Sequence, residues 1–298
     1  MGRDSLTIVI PAYNCAKYLT AAIVSALRCE IGCILVGDNC STDDTLRVAR
    51  SWETRSGGRV RVIANPSNIG ARNNCQNLME NVNTTYGLVL SADDIISSEY
   101  VRSAVALLDR EVKLGMIGAV LQRIDDDFGL SGDSFEEPEC PVESFTILSG
   151  ISAGRLALGW YPFPAMSATI LRMSAFREVG GYSTILKATL DREIWFRIGR
   201  THDVAFCNTP GVFYRVLATG ETARFKKNDM WCYELSNMFR AARKIWPEPE
   251  LQPRFRRAFR INGKAFFGSA VRAVKRGAWR EVMPRVGRGF ADLWNAIT

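Results

Sequence analysis

Short apolar runs alternate with amphipathic stretches over the first 122 residues, and this alternation constrains the fold more than any other feature of the chain. The runs have the length of buried strands, and the stretches between them carry apolar residues at the spacing of a helix. Strands alternating with helices predict an open, mainly parallel, Rossmann-like sheet with helices on both faces. The predicted strands are 6–12, 32–37, 60–64, 86–91 and 115–122, and the predicted helices are 15–28, 45–52, 71–81 and 98–110.

The pattern changes after residue 124. Segment 125–139 carries seven acidic residues and no basic one, which is typical of a solvated loop; a mobile lid facing an acceptor is the alternative. Residues 166–172 predict another strand and 191–200 a helix. Residues 204–216 predict a pair of strands that turns at Pro210-Gly211. Only helical patterns remain after residue 222.

Composition excludes several classes of protein. Of 298 residues, 47% are hydrophobic and 23% charged, as in a globular chain. No apolar stretch reaches the roughly 18 residues that span a bilayer, and the N-terminus has no secretory signal pattern. The eight scattered cysteines include no C-x-x-C pair, so we interpret them as reduced thiols of a cytosolic protein. The single histidine, His202, leaves acid/base chemistry to carboxylates.

Polar side chains follow the predicted strands, where ligands bind in open α/β sheets. Asp38 leaves the second strand directly, and it either reads a donor N–H of a ligand or satisfies nearby backbone N–H groups. Ser41, Thr42 and Asp43 fit a cap of the following helix. Arg72, near a helix start, either holds an anion or is an ordinary exposed residue.

The fourth strand ends in two adjacent carboxylates, Asp93 and Asp94. Neighbouring side chains of an extended chain point in opposite directions, so one carboxylate can reach a ribose hydroxyl and the other a divalent cation. Oxygen ligands suit Mg²⁺ or Mn²⁺ next to substrate phosphates. The alternative is a plain N-terminal cap of the next helix.

Five segments in this order resemble an inverting family-2 glycosyltransferase of GT-A fold: TIVIPAYNCAKYL, ILVGDNCSTDDTL, NPSNIGARNN, LVLSADD and LDREIWFRI. The resemblance covers roughly residues 5–216. It implies a GT-A catalytic domain over 1–222, with a nucleotide-binding part at 1–124 and an acceptor part at 125–222. A basic, amphipathic helical region over 223–298 follows.

The resemblance also implies roles for single residues. Pro11, Ala12 and Tyr13 would line the nucleotide pocket, Asp38 would contact the base, and Arg72 would lie near the nucleotide. Asp93 would bind the ribose, and Asp94 a Mg²⁺ or Mn²⁺ ion on the diphosphate.

The implied catalytic base is Asp191, at the start of its helix. Glu193 is a rival base, and a helix cap is the alternative for Asp191. The chain departs from the family pattern twice. Ser91 replaces an expected acid, and Leu217 stands where a histidine is common, so Arg215 is a candidate contact of the diphosphate.

The features and the resemblance together predict a metal-assisted, inverting transfer of a sugar from a nucleotide-sugar donor, for which we expect a UDP-sugar. The expected acceptor is a glycan or a lipid-linked molecule, and the expected role is cell-surface polysaccharide synthesis. A nucleotidyltransferase of similar fold is the alternative enzyme, although TIVIPAYN lacks its Gly-rich loop. A non-catalytic nucleotide-binding protein at a membrane surface is the third possibility.

The C-terminal segment 251–298 holds eleven Lys/Arg and two acids, and the rest of the chain has a net charge of −2. Its aromatic residues recur at helical spacing between the basic ones. Such helices either lie on an anionic membrane or pack back on the catalytic domain with the basic face outward. We expect a cytoplasmic protein, peripheral on the inner face of the cell membrane in the first case. No nucleic-acid recognition motif is present.

Overall fold

A computed structural model describes residues 5–29, 31–130, 137–158, 165–217, 220 and 230–297. The chain forms two compact units. The first comprises residues 1–149, 162–182 and 201–216, and the second comprises 150–161, 183–200 and 217–298. Two internal segments, 150–161 and 183–200, thus belong to the same compact unit as the C-terminal helices.

The first unit contains every strand and five α-helices among the described residues. The strands are β1 (Leu6–Ala12), β2 (Cys33–Asp38), β3 (Val60–Ala64), β4 (Tyr86–Val89), β5 (Ile95–Ile96), β6 (Leu114–Ile124), β7 (Phe145–Leu148), β8 (Thr169–Arg172) and β9 (Asp203–Arg215). The helices are α1 (Ala16–Arg28), α2 (Thr45–Arg55), α3 (Ala71–Glu80), α4 (Ser98–Arg110) and α6 (Met173–Glu178); α5 (Ile151–Ala157) belongs to the second unit.

One sheet joins the strands in the order β3-β2-β1-β4-β8-β6-β9-β5, and β7 pairs with β9. The pairs of β1, β2, β3 and β4 are parallel, and β8 runs antiparallel to both of its neighbours. The predicted alternation of strands and helices is thus confirmed as an open α/β sheet. Its core is aliphatic, with Ile8, Val36 and Leu88 fully buried, because side chains on both faces of a helix-covered sheet are removed from water.

The predicted strand pair at 204–216 is wrong. A single strand, β9, runs through Pro210-Gly211 and stays parallel to β6, with register shifts opposite Val120. Proline has no N–H to donate to the ladder, so the extra residues bulge out instead of starting a turn. A Cβ at Gly211 would lie 2.7 Å from the ring of Tyr100, which fills the space.

Helices make up the second unit: α5 (Ile151–Ala157), α7 (Leu190–Thr201), α8 (Met230–Ile245), α9 (Gln252–Lys275) and α10 (Val282–Asn295). Aromatic side chains join them. The indole Nε1 of Trp246 donates to the carbonyl of Phe196 at 3.0 Å, and the Phe196 ring stacks on Phe255. The apolar face of α7 is therefore buried among C-terminal helices. No described helix is both long and apolar enough to cross a membrane.

Candidate active site

The carboxyl ends of β1, β2 and β3 form one edge of the sheet. Ala12 pairs with Asp38, and Asp38 pairs with Ala64. Backbone bonds continue past the strand ends, since the N–H of Asn39 donates to the Ala12 carbonyl at 2.9 Å. The predicted nucleotide-pocket residues Pro11, Ala12 and Tyr13 therefore lie beside Asp38. The ring of Tyr13 is 48% exposed, so it offers a flat aromatic face to a ligand.

Asp38 is buried, at 1% exposure, and its two oxygens differ. Oδ2 accepts the backbone N–H of Ser41 at 3.2 Å. Oδ1 has no hydrogen-bond partner within the described part of the chain. A buried acceptor without a donor is costly, and such groups in native proteins call for an explanation such as a ligand. The backbone-satisfying alternative thus accounts for only half of this carboxylate.

Side chains after β2 fasten the turn that carries Tyr13. Asp43 Oδ2 accepts the N–H of Ala16 at 3.1 Å, and Thr45 Oγ1 accepts the N–H of Cys15 at 2.8 Å. Asn14 adopts a positive φ of 49°. Asp43 therefore serves two helices: its Oδ1 accepts the N–H of Thr45, the first residue of α2, at 2.9 Å as the predicted capping requires, and its Oδ2 also caps the start of α1.

An asparagine network shapes the loop between β3 and α3. Asn74 Nδ2 donates to the Gly37 carbonyl at 2.8 Å, and Asn65 Nδ2 donates to Asn74 Oδ1 at 3.0 Å. Asn39 Nδ2 donates to Asn68 Oδ1 at 2.9 Å. The sequence motif identified this loop but not its internal bonds.

Arg72 lies in the first turn of α3, which follows this loop. Its side chain is half-buried and makes no hydrogen bond or ion pair with any described residue. The helix N-terminus adds backbone N–H groups and a favourable dipole for negative charge. Arg72 is therefore placed to meet an anion at this edge.

Asp93 and Asp94 have different surroundings. Asp94 is buried, and both of its oxygens accept internal hydrogen bonds: Oδ1 from the N–H of Arg215 at 3.0 Å and Oδ2 from Ser167 Oγ at 2.8 Å. Asp93 is half-buried, and its carboxylate accepts no hydrogen bond from another described residue. Burial raises the pKa of both carboxyls, and Asp93 raises that of Asp94 further.

The two aspartates do not cap the next helix. The cap of α4 is Ser97, whose side chain accepts the N–H of Tyr100, and β5 lies between. Two adjacent carboxylates in a poorly hydrated place repel each other, and a cation would offset that repulsion. The helix-cap alternative is thus ruled out for this pair.

Arg215 supports the turn from behind. Its guanidinium donates to the backbone carbonyls of Asp93, Asp125, Asp126 and Phe128 at 2.7–2.9 Å, and it is 1% exposed. These bonds turn the side chain towards the main chain. The geometry therefore does not favour the predicted contact with a diphosphate, and it gives Arg215 a positioning role.

The described ends of the acidic segment 125–139 make specific contacts with the helices α1 and α4. Lys17 Nζ lies 2.7 Å from Asp126, and Glu137 Oε2 accepts the N–H of Ser98 at 2.6 Å at the start of α4. The ends of this segment thus make specific contacts beyond those of a solvated loop. Residues 131–136, the middle of the predicted loop or lid, lie outside the described residues.

The predicted base, Asp191, belongs to the second unit and lies in the first turn of α7. It is half-buried, one oxygen accepts the N–H of Arg192, and burial raises its pKa above the ordinary value. The rival Glu193 forms a bidentate pair with Arg197 at 2.6 Å. Because Arg197 occupies both oxygens of Glu193, the geometry favours Asp191 as the base.

Glu234 of α8 was not identified from the sequence. Its Oε2 accepts the N–H groups of Lys187 and Ala188 at 2.9 and 2.5 Å, so it holds the turn that precedes Asp191. Ser167, which bonds Asp94, was missed as well. Neither residue stands in a recognisable motif, because each acts across a long sequence separation.

The described residues contain no group of three or more His, Cys, Asp or Glu side chains that could hold a metal ion. Among the described carboxylates of Asp38, Asp93 and Asp94, only that of Asp93 has neither oxygen engaged by another described residue. Mg²⁺ and Mn²⁺ bind through one or two carboxylates when substrate phosphates supply the remaining oxygens. The site fits an ion that arrives with a diphosphate.

An open α/β sheet with polar side chains at the carboxyl ends of its parallel strands is the architecture of the GT-A class. Residues 7–180, more than half of the chain, match the model of glycosyl transferase family 2, and the chain belongs to that family. It is 24% identical to EpsE of Bacillus subtilis (strain 168) over 196 residues, 64% of this chain and 66% of EpsE. The chain thus spans just under two thirds of that relative's length.

Two solved structures share the fold. TarS 1–349 of S. aureus in complex with UDP-GlcNAc aligns with a TM-score of 0.59 at 13% identity, over 94% of this chain and 89% of that one. The mannosyltransferase PcManGT of Pyrobaculum calidifontis in complex with GDP-Man and Mn²⁺ also aligns with a TM-score of 0.59, at 15% identity over 99% and 86%. These similarities establish the GT-A fold.

Proposed function

We propose that this chain transfers a sugar from a nucleotide-sugar donor, a UDP-sugar, to a hydroxyl group of a glycan or lipid-linked acceptor. The observation that carries the proposal is the buried Oδ1 of Asp38, which lacks a donor at the edge where a nucleotide would bind. A uracil ring presents one N–H between two carbonyls and satisfies this oxygen. Tyr13 offers the ring a stacking surface.

In this proposal the diphosphate lies near Arg72 and Asp93. Asp93, the carboxylate without an internal donor, holds the divalent cation, Mg²⁺ or Mn²⁺. Both oxygens of Asp94 accept internal bonds, which orient the turn, and the metal contact of Asp94 stays a prediction. The ion offsets charge on the departing nucleoside diphosphate, and Arg72 contributes to the same end. A ribose contact of Asp93 stays a prediction.

Asp191 acts as the general base in this proposal. It takes the proton from the acceptor hydroxyl while the hydroxyl oxygen attacks the anomeric carbon. The bond from that carbon to the diphosphate oxygen breaks on the opposite side, so the configuration inverts. Partial burial keeps the pKa of Asp191 above its ordinary value, which improves its capacity to accept a proton.

The acceptor and the location are proposed from the relatives and the charge distribution. TarS, to which this chain is 25% identical over 108 residues, is named as a poly(ribitol-phosphate) beta-N-acetylglucosaminyltransferase. We propose synthesis of a cell-surface polysaccharide by a cytoplasmic protein that lies peripherally on the inner face of the membrane. The basic segment 251–298 supports that location.

Thermal shift tests the donor class, because a ligand that binds only the folded state raises its stability. UDP-, GDP- and dTDP-sugars are screened with Mn²⁺ and with EDTA, and the protein is then incubated with the stabilising donor and candidate acceptors. We expect a UDP-sugar to stabilise the chain more with Mn²⁺, and UDP and an inverted glycoside to be released. Pyrophosphate released from a nucleoside triphosphate would show a nucleotidyltransferase, and binding without any turnover would show a non-catalytic protein.

A further inference from the structure

Helix α10 exposes its apolar side. Met283, Phe290, Trp294 and the following Ile297 are 73, 61, 68 and 74% exposed. Their spacing of seven, four and three residues places them on one side of the helix. The side facing α8 and α9 buries Arg285, Gly289 and Asp292 instead. The helix is thus reversed relative to a usual surface helix, which turns its apolar face inward.

The inward polar side chains fix this orientation. Asp292 accepts hydrogen bonds from Ser236 Oγ at 2.6 Å, Arg240 Nη2 at 2.8 Å and Asn262 Nδ2 at 2.8 Å. Arg285 Nη1 donates to Ser269 Oγ at 2.9 Å. Rolling the helix to bury its apolar side would break these buried bonds. The exposed side is therefore a fixed feature of the second unit.

Neighbouring residues enlarge this apolar surface. The Phe267 ring of α9 packs edge-on against Phe290 at 5.1 Å, and Val271 and Val274 of the same helix are exposed. Trp279, just before α10, is 66% exposed. We call the set Met283, Phe290, Trp294, Ile297 and Trp279 the apolar strip. A contiguous exposed apolar surface marks a site that contacts a partner or a membrane.

The charges near the apolar strip indicate which of these it contacts. Segment 251–298, which contains α9 and α10, has eight exposed basic residues: Arg254, Arg257, Arg260, Lys264, Arg272, Lys275, Arg276 and Arg280. Of the two acids, Asp292 is buried, and Glu281 lies within 4 Å of Arg285 and Arg276. A second copy would bring the same positive charge against this one. Anionic lipid headgroups are complementary to it, and tryptophans favour the interface between headgroups and acyl chains.

We propose that α10 lies in the plane of an anionic bilayer, with the apolar strip buried at the level of the acyl chains and the basic side chains among the headgroups. This deepens the proposed location on a membrane. Because the contact needs neither donor nor acceptor, it can be tested apart from the transfer reaction.

Vesicle co-sedimentation of the full chain tests the proposal. One set of vesicles is phosphatidylcholine alone, and the other contains about 30% phosphatidylglycerol, a typical anionic fraction. We expect binding to the anionic set that weakens with salt, and a blue shift of tryptophan fluorescence. The double variant Phe290→Ser/Trp294→Ser should bind at least about tenfold more weakly, since it loses two buried aromatic side chains.

Val112→Ser/Ile185→Ser is the matched control, because both residues are exposed and apolar but lie outside the strip, at 76 and 79% exposure. The control should bind like the wild type, and circular dichroism should show equal folding of all three proteins. Equal binding by the strip variant, or no binding of the wild type to anionic vesicles, overturns the proposal. So does a wild-type dimer that dissociates in the strip variant, because the strip would then contact a second copy. Donor binding measured without vesicles reports on the transferase proposal separately.

Discussion

Two buried carboxylates, one in each unit, have opposite surroundings. Asp292 of the helical unit is fully buried, and Ser236, Arg240 and Asn262 donate to its two oxygens. Asp38 of the sheet unit is buried to a similar degree, but one of its oxygens has no donor in the described structure.

The difference separates a structural group from a ligand-binding group. A buried charge costs several kcal/mol, roughly, unless hydrogen bonds and opposite charges compensate it. Asp292 has that compensation from its own chain, so its role is to hold three helices together. Asp38 lacks a donor for one oxygen. A ligand that supplies this donor is therefore expected to raise the free energy of unfolding.

The largest effect is expected at Asp191, a carboxylate between these two extremes. Asp191→Asn should lower turnover by about 10²- to 10⁴-fold, the usual contribution of a general base, and leave UDP binding unchanged. Wild-type turnover should rise with pH through a value above 3.8, because the base must be ionised and its pKa is raised. Single-turnover kinetics over a pH series measure both.

Glu193→Gln is the comparison variant for that experiment. It loses the bidentate pair with Arg197 but not the proposed base, so its turnover should stay within a few-fold of the wild type. Wild-type turnover by Asp191→Asn would remove Asp191 from the mechanism, and a matching loss in Glu193→Gln would transfer the role to Glu193.

The next effect concerns stability at Asp292. Asp292→Ala removes the carboxylate to which Arg240, Ser236 and Asn262 donate, and the free energy of unfolding should fall by about 3 kcal/mol. That is the low end of the usual range, because the Arg240 side chain is 30% exposed. The Tm should drop by roughly 6–12 °C in a differential scan. An unchanged Tm would contradict the structural role of Asp292, since its hydrogen bonds would then not hold the three helices together.

The pH dependence of stability should also change when Asp94 is replaced. Burial and Asp93 raise its pKa to about 8 in the folded state, against 3.8 when it is hydrated. The folded state then binds more protons than the unfolded state between these values. This contribution to stability is complete below about pH 4 and is lost as the pH rises through about 8.

Asp94→Asn should therefore flatten the decline of Tm with rising pH, measured in EDTA. The amide keeps one acceptor oxygen and carries no charge. A decline as steep in Asp94→Asn as in the wild type would show that another group titrates.

Much of the sheet unit was predictable because its strands and helices are encoded locally. The apolar run 6–12 is β1 residue for residue, and the positions of Asp38 and Arg72 followed from the strand ends. The strand pair at 204–216 was predicted wrongly, because a proline and glycine in sequence do not distinguish a bulge from a turn. The local sequence pattern indicates only that the backbone departs from a regular strand at Pro210-Gly211. Pairing with β6 decides that this departure is a bulge and not a turn.

Long-range contacts explain what the sequence could not show. Asp43 caps α1, which precedes it in the chain, and Arg215 holds the Asp93 turn from 122 residues away. The reversed polarity of α10 was also hidden, since helical periodicity does not reveal which side faces inward. Only the burial of Asp292 and Arg285 shows it.

The central claim is that Asp38 binds the base of the donor, and calorimetric titration with UDP in the presence of Mn²⁺ tests it most directly. Asp38→Ala should weaken binding by about 10- to 150-fold, the equivalent of one hydrogen bond to a charged acceptor of about 1.5–3 kcal/mol. Asp44→Ala, in the same loop but exposed, should bind UDP like the wild type, and the Tm of all three ligand-free proteins should agree within a few degrees. Equal affinity of Asp38→Ala and the wild type for UDP would contradict the account.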